Sequence, residues 1–244
     1  MGLFDKLSEK FEKKECVFCG KELGLLGKKK LEDGVMCKDC VSLLSPWFTD
    51  RKNSTVAEIE EQLAYREQNL KELQSFQGTA EYGEDAEIFI VDEPNRRFIV
   101  LPRKNTDVAK YNPDIISFDD VTEMKLDMSY HSTEEKRRDP EGKMVSFMPP
   151  HFEHCFDFYL KIETRHPYAH THRAHLNGRT LKVHTLGPKM QRSYSLNALD
   201  DLRRFLDYYP PRTNHDQYRA ETEMEDCYYF ADMGDAICRA ILRG

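Results

Sequence analysis

The chain has no apolar run approaching the roughly 20 residues that a helix needs to cross a bilayer. Its opening, "MGLFDKLSEKFEKK", lacks the apolar core and cleavage site of a signal peptide, and Lys6 stands where a myristoylation signal wants Ser or Thr. These absences lead to the expectation of a cytoplasmic protein. Catalytic signatures are missing as well. There is no Gly-x-Ser-x-Gly elbow, no Gly-x-Gly-x-x-Gly turn after a strand and no phosphate loop. "GKELGLLGKK" has glycines and lysines at the wrong spacing, with no Ser or Thr following Lys. Positive charge is not in excess either. Lys and Arg number 36 against 43 Asp and Glu, for a net charge of −7, so the bulk field does not attract nucleic acid or anionic lipid.

Seven cysteines are present, and four of them form the pattern Cys16-x2-Cys19-x17-Cys37-x2-Cys40. In a reducing compartment such pairs hold metal more often than they form disulfides. Four thiolates at this spacing suit one tetrahedral structural zinc per chain. Gly20 suits the knuckle after the first pair, and Asp33-Gly34 reads as the turn of a hairpin between the pairs. The second pair leads into a short helical segment that Pro46 ends. That order is the order of a treble clef. Such a site is coordinatively closed, so the expectation is a clamp and not a catalytic zinc. Residues 1–52 carry eleven basic and nine acidic residues, too balanced for a dedicated DNA-reading finger.

Residues 54–76 predict a helix, opened by a Thr55/Glu58 capping box and carrying Val56, Ile59, Leu63, Leu70 and Leu73 at helical spacing, with Arg66 interrupting the stripe. It reads as an arm between two modules. From about residue 82 the period changes to two. Residues 86–103 predict strand, turn and strand, with the turn at Asp92–Asn95. Met124, Leu126, Met128 and Tyr130 alternate on one face, as do Phe156, Phe158, Leu160 and Ile162, and residues 180–186 predict another strand. Residues 131–143 read as a solvated hairpin loop. Helices are predicted over 195–209 and 216–242, the second with Met224, Cys227, Ala231, Cys238 and Ile241 or Leu242 as its apolar stripe. The sum is an α+β chain with three parts: a zinc module at 1–52, a linker helix at 53–77, and an antiparallel β-domain at 78–244, for which a pleckstrin-homology-like barrel is the architectural expectation.

The segments "MGLFDK", "CVFCGKELGLLGKKKLEDGVMCKDC" and "LSPWF" resemble the N-terminal, zinc-ribbon-like domain of an uncharacterised bacterial protein family, over about residues 1–48. The resemblance implies a zinc-stabilised bacterial cytoplasmic protein and supplies no activity.

Two further groups stand out. His170 and His172 share a face of a predicted strand and are candidates for a second metal. Lys161, Arg165, Arg173, Arg179, Lys182, Lys189 and Arg192 face only Glu163 between residues 161 and 192. Two readings of this basic segment stand open: docking on the acidic terminal helix, or receiving an anionic partner. Cys155, Cys227 and Cys238 read as buried apolar residues. Three functions are therefore in play. The first is a non-enzymatic interaction or regulatory protein with an unidentified protein partner. The second is a nucleic-acid-binding regulator, and the third a metal-dependent enzyme using the histidines.

Overall fold

A computed structural model describes residues 14–24, 27–83, 86–186, 204 and 214–243. The opening residues 1–13, most of the predicted helix at 195–209, and Lys189 and Arg192 lie outside these residues.

The chain is α+β. Its first part is built from two small hairpins. β1 (Lys14–Glu15) pairs with β2 (Glu22–Leu23), and β3 (Lys29–Lys30) pairs with β4 (Val35–Met36). The turn at Asp33-Gly34 packs against the start of a helix, so a side chain at Gly34 would meet Val56 Cγ2 at 2.8 Å. A short helix, α1 (Lys38–Val41), follows. The long helix α2 (Val56–Leu73) starts at the capping box, with Thr55 Oγ1 accepting from Glu58 N and Glu58 returning a hydrogen bond from Thr55 N. Asp33 Oδ1 accepts from Val56 N at 2.7 Å and satisfies another free donor of that first turn.

The β region holds two four-stranded sheets. β5 (Ala80–Tyr82), β6 (Ile88–Asp92), β7 (Arg97–Leu101) and, after the short α3 (Val108–Tyr111), β8 (Ile116–Ser117) form an antiparallel meander. The second sheet is organised by β10 (Met144–Thr164). Along one edge it pairs with β9 (Val121–Arg138). Its other edge is shared by β11 (Thr171–His175), opposite residues 159–163, and β12 (Leu181–Leu186), opposite residues 151–156. Both sheets contribute to one core, in which Phe89, Phe98, Phe156, Phe158, Leu160 and Ile162 are almost completely buried. Each such side chain contributes about 1.5–3 kcal/mol of transfer free energy.

The expected loop at 131–143 is not a loop. β9 continues through Arg138 and pairs with β10 almost to its start, and only Asp139–Lys143 turns. Asp139 closes that turn, accepting through Oδ1 from Lys143 N and Glu141 N. The charged sequence misled because this part of the ribbon has solvent beside it, so period-two burial fades.

The terminal helix α4 (Asn214–Leu242) covers the sheet with Met224, Cys227, Met233, Ile237 and Ile241. At Gly234 the helix backbone approaches the sheet so closely that a Cβ would lie 2.5 Å from Leu126 Cδ1 and 3.2 Å from Leu176 Cδ1. Replacing Gly234 with valine should therefore cost about 1–3 kcal/mol through overpacking. A thermal melt checks this, and unchanged stability would mean that the helix does not seat there.

The helix α2 departs most from its predicted role. Its apolar stripe is only partly used: Ile59 is fully buried in the cysteine module, while Leu70 is exposed. The other buried positions are polar, namely Gln62, Arg66 and Asn69. Arg66 donates to Asp114 Oδ1 at 2.7 Å and to the carbonyls of Leu43 and Asn112. Asn69 donates to Pro113 O and accepts from Ile115 N, and Gln62 Oε1 accepts from Ser45 N. Ser45 Oγ donates to Asp114 Oδ2 at 2.6 Å. Asn112, in the left-handed region at φ 51°, brings its own carbonyl and side chain round to Arg66. The helix does not hold two modules apart. It joins them through a buried polar seam.

Candidate metal centre

Cys16 and Cys19 lie on the knuckle after β1. Cys37 caps α1, and Cys40 lies within it. The four sulfurs all fall within 4.8 Å of one another. Cys16 Sγ is 3.7 Å from Cys40 Sγ, and Cys19 Sγ is 3.7 Å from Cys37 Sγ. Sulfurs bound at about 2.3 Å to one tetrahedral ion sit about 3.8 Å apart, so the spacing fits a metal of zinc's size. Backbone N–H groups point at the sulfurs, Cys37 N at Cys16 Sγ (3.3 Å) and Cys40 N at Cys37 Sγ (3.2 Å).

The electrostatics agree with a site that wants a cation. Burial opposes ionisation of Cys16, yet the backbone N–H groups of Cys19, Phe18 and Cys37 bring its thiol down to about 6. The Cys40 thiol is pushed well up by burial and by the three neighbouring sulfurs. Four sulfurs this close hold four negative charges only around a cation. Cys16, Cys37 and Cys40 are buried and Cys19 is exposed, so the cluster lies just below the surface. It shares a small core with Leu23, Leu31, Met36, Leu44 and Ile59.

The chain after the second pair carries a function that sequence reasoning missed. Trp47, the single tryptophan, belongs to the core of the β-domain and stacks on His172, with ring centroids 4.4 Å apart and planes at 12°. His172 Nε2 is 2.6 Å from Glu87 Oε1, whose other oxygen accepts from His175 N. His172 is thus engaged where module meets β-domain, and His170 is exposed at the approach to β11. Among the described residues, the other grouping with metal-ligand spacing is Glu135, Glu153 and His184. The usable signals for the contact face were a lone tryptophan and a lone arginine within an apolar helical stripe.

Among the described residues, the cations of the basic segment pair mainly with carboxylates of the sheet. Lys161 pairs with Glu163 and Glu123, and Lys182 with Glu153. Arg173 pairs with Asp127 and lies over the Tyr159 ring at 3.4 Å. Arg165 donates to the carbonyl of Asp119. Arg179 is exposed and lines a cavity with Lys182, Glu223 and Asp226, and His184 bonds Glu223 of the terminal helix directly. Counting charge along the segment missed this because, apart from Glu163, the acids lie outside the segment on β9 and β10. Burial raises the Cys227 thiol to about 12 and the Cys238 thiol to about 11, which keeps both uncharged.

Among the described residues, no helix is long and apolar enough to cross a membrane. No curated protein and no solved structure matches the chain. Residues 14–62 match a family described as a domain of unknown function (DUF4428), a span that takes in all four cysteines and the first turns of α2.

Proposed function

We propose that the chain is a non-enzymatic interaction or regulatory protein, working in the cytoplasm, whose N-terminal module is folded by one zinc ion and helps to present a surface to a protein partner. The closed four-sulfur cluster carries this reading. All four positions of a tetrahedral ion are taken by thiolates, which leaves none for water or substrate and suits a clamp. The seam that fixes the module against the β-domain supports a composite surface, on which, among the described residues, the module exposes Leu43 (57%) and Val17 (48%). The pairing of the basic segment with sheet carboxylates weighs against the second reading, a nucleic-acid-binding regulator, since phosphate binding needs uncommitted cations.

The test compares the wild type with Leu43→Asp in capture from the native host, alongside a mobility-shift titration with random duplex DNA in low salt. The expected result is that the variant keeps its metal and its stability and loses a specific protein that the wild type retains, while DNA is not retarded. Retardation of DNA with a steep salt dependence would overturn the protein-partner reading in favour of nucleic acid.

A further inference from the structure

We propose that Glu135, Glu153 and His184, with His151 beside them, form a second cation site that takes a first-row divalent metal. Strand register builds it. Glu153 of β10 stands opposite His184 of β12, and His151, two residues earlier and therefore on the same face, stands opposite Glu135 of β9. Four potential ligands thus project together from three adjacent strands.

The distances are those of groups facing a shared ion. His184 Nε2 is 3.5 Å from Glu153 Oε2 and 3.9 Å from Glu135 Oε1, and His151 Nδ1 is 3.9 Å from Glu135 Oε2. These separations exceed those of N–H···O hydrogen bonds. Ligand atoms bound at about 2.0–2.2 Å to one ion lie about 3–3.5 Å apart, so a small inward movement closes the set.

The far side of the imidazole supplies an independent observation. Glu223, from α4, holds His184 Nδ1 at 3.0 and 3.2 Å and also accepts from His184 N at 2.9 Å. Once Arg219 swings away from that nitrogen, a carboxylate on it favours the tautomer in which the other ring nitrogen presents its lone pair, the arrangement that orients metal-ligating histidines. A cavity of about 140 Å³ opens beside the cluster and leaves room for water on the ion. Two cations now balance the carboxylates. Lys182 Nζ is 2.9 Å from Glu153, and Arg219 bonds Glu223 at 2.8 Å with its guanidinium 2.9 and 3.3 Å from the two nitrogens of His184. Both side chains are half exposed and can rotate into solvent when a divalent ion enters. Mixed imidazole and carboxylate ligands select zinc, cobalt, iron(II), manganese or nickel over soft copper(I). The ion would tie β9, β10 and β12 together and, through Glu223, fasten the terminal helix.

The test is equilibrium dialysis of the full chain against cobalt(II), with bound cobalt counted by atomic emission and thermal stability followed in parallel. Any cobalt at the cysteine cluster is common to all variants and cancels. The wild type should hold one more equivalent than His184→Ala and gain a cobalt-dependent rise in melting temperature that this variant lacks. Glu223→Gln, which acts by positioning the imidazole, should weaken binding about 10- to 100-fold. Glu135 is 42% exposed, so Glu135→Gln keeps the fold and should also lose affinity. Equal cobalt uptake in wild type, Glu135→Gln and His184→Ala would overturn the site.

Discussion

Replacing Cys37 with serine should strip the metal from the N-terminal cluster and unfold residues 15–48. Cys37 Sγ lies 3.7 Å from Cys19 Sγ, is bonded by Cys40 N at 3.2 Å, and caps α1. Its loss removes one ligand and the start of the helix that carries another. The module has few buried apolar side chains of its own, and one of these, Ile59, is lent by α2. A core that small does not hold a fold without its ion. Structural zinc sites contribute on the order of 10 kcal/mol of apparent binding free energy, most of it folding free energy. The variant should therefore hold one equivalent of zinc fewer than the wild type and show rapid proteolysis between the two cysteine pairs. Zinc content equal to that of the wild type, with unchanged protease resistance over that segment, would rule out the four-sulfur assignment.

The second large effect is expected at Arg66. Its side chain and that of Asp114 are 5% and 2% exposed. Truncating Arg66 to alanine leaves Asp114 buried with Ser45 as its remaining hydroxyl donor, and strands the carbonyls of Leu43 and Asn112. Breaking such a pair from one side costs about 3–5 kcal/mol, because the surviving charge cannot be solvated. The double variant Arg66→Met with Asp114→Leu should lose less than either single truncation, since no charge is left behind. Denaturant melts followed by Trp47 fluorescence read both the stability and the seam, as Trp47 lies at the same contact. A single variant within about 1 kcal/mol of the wild type would show that the pair is hydrated and that the seam is looser than its geometry.

The cysteine cluster was legible because metal ligation imposes a strict local spacing, and two short gaps separated by a hairpin leave few alternatives. The strand at 181–186 and the face running from Met124 to Tyr130 were legible for a related reason, since one buried face writes period two into the chain, while the strands at 88–92 and 97–101, buried on both faces, were legible as short apolar runs bounded by turn residues. What failed was whatever depended on distant partners. Arg66 reads as an interruption of an apolar stripe, and its meaning appears only when Asp114, 48 residues away, is placed beside it. The basic segment looked unbalanced because Glu123, Asp127 and Glu153 reach it across β9 and β10. The boundary placed at residue 52 cut through the module's own core, since Val56, Ile59 and Leu63 pack on the cysteine side of α2. Secondary structure is written locally, whereas polar interfaces are written in pairs.

The polar character of the seam also has a consequence for the order in which the chain comes together. Ser45 and Asp114 are 69 residues apart, whereas Cys16 and Cys40 are separated by 24. Closing the shorter loop costs less entropy, so the module and the first turns of α2 form a local unit before the seam can close. During synthesis that unit emerges well ahead of β8 and the sheet that follows. Had the waiting face of α2 been built from leucine and isoleucine, it would stand open as a sticky stripe until its partner arrived. With Gln62, Arg66 and Asn69 there instead, water fills the place of Asp114 and the Pro113 carbonyl in the meantime. The buried charge that looks expensive in the finished protein keeps the half-made one dispersed.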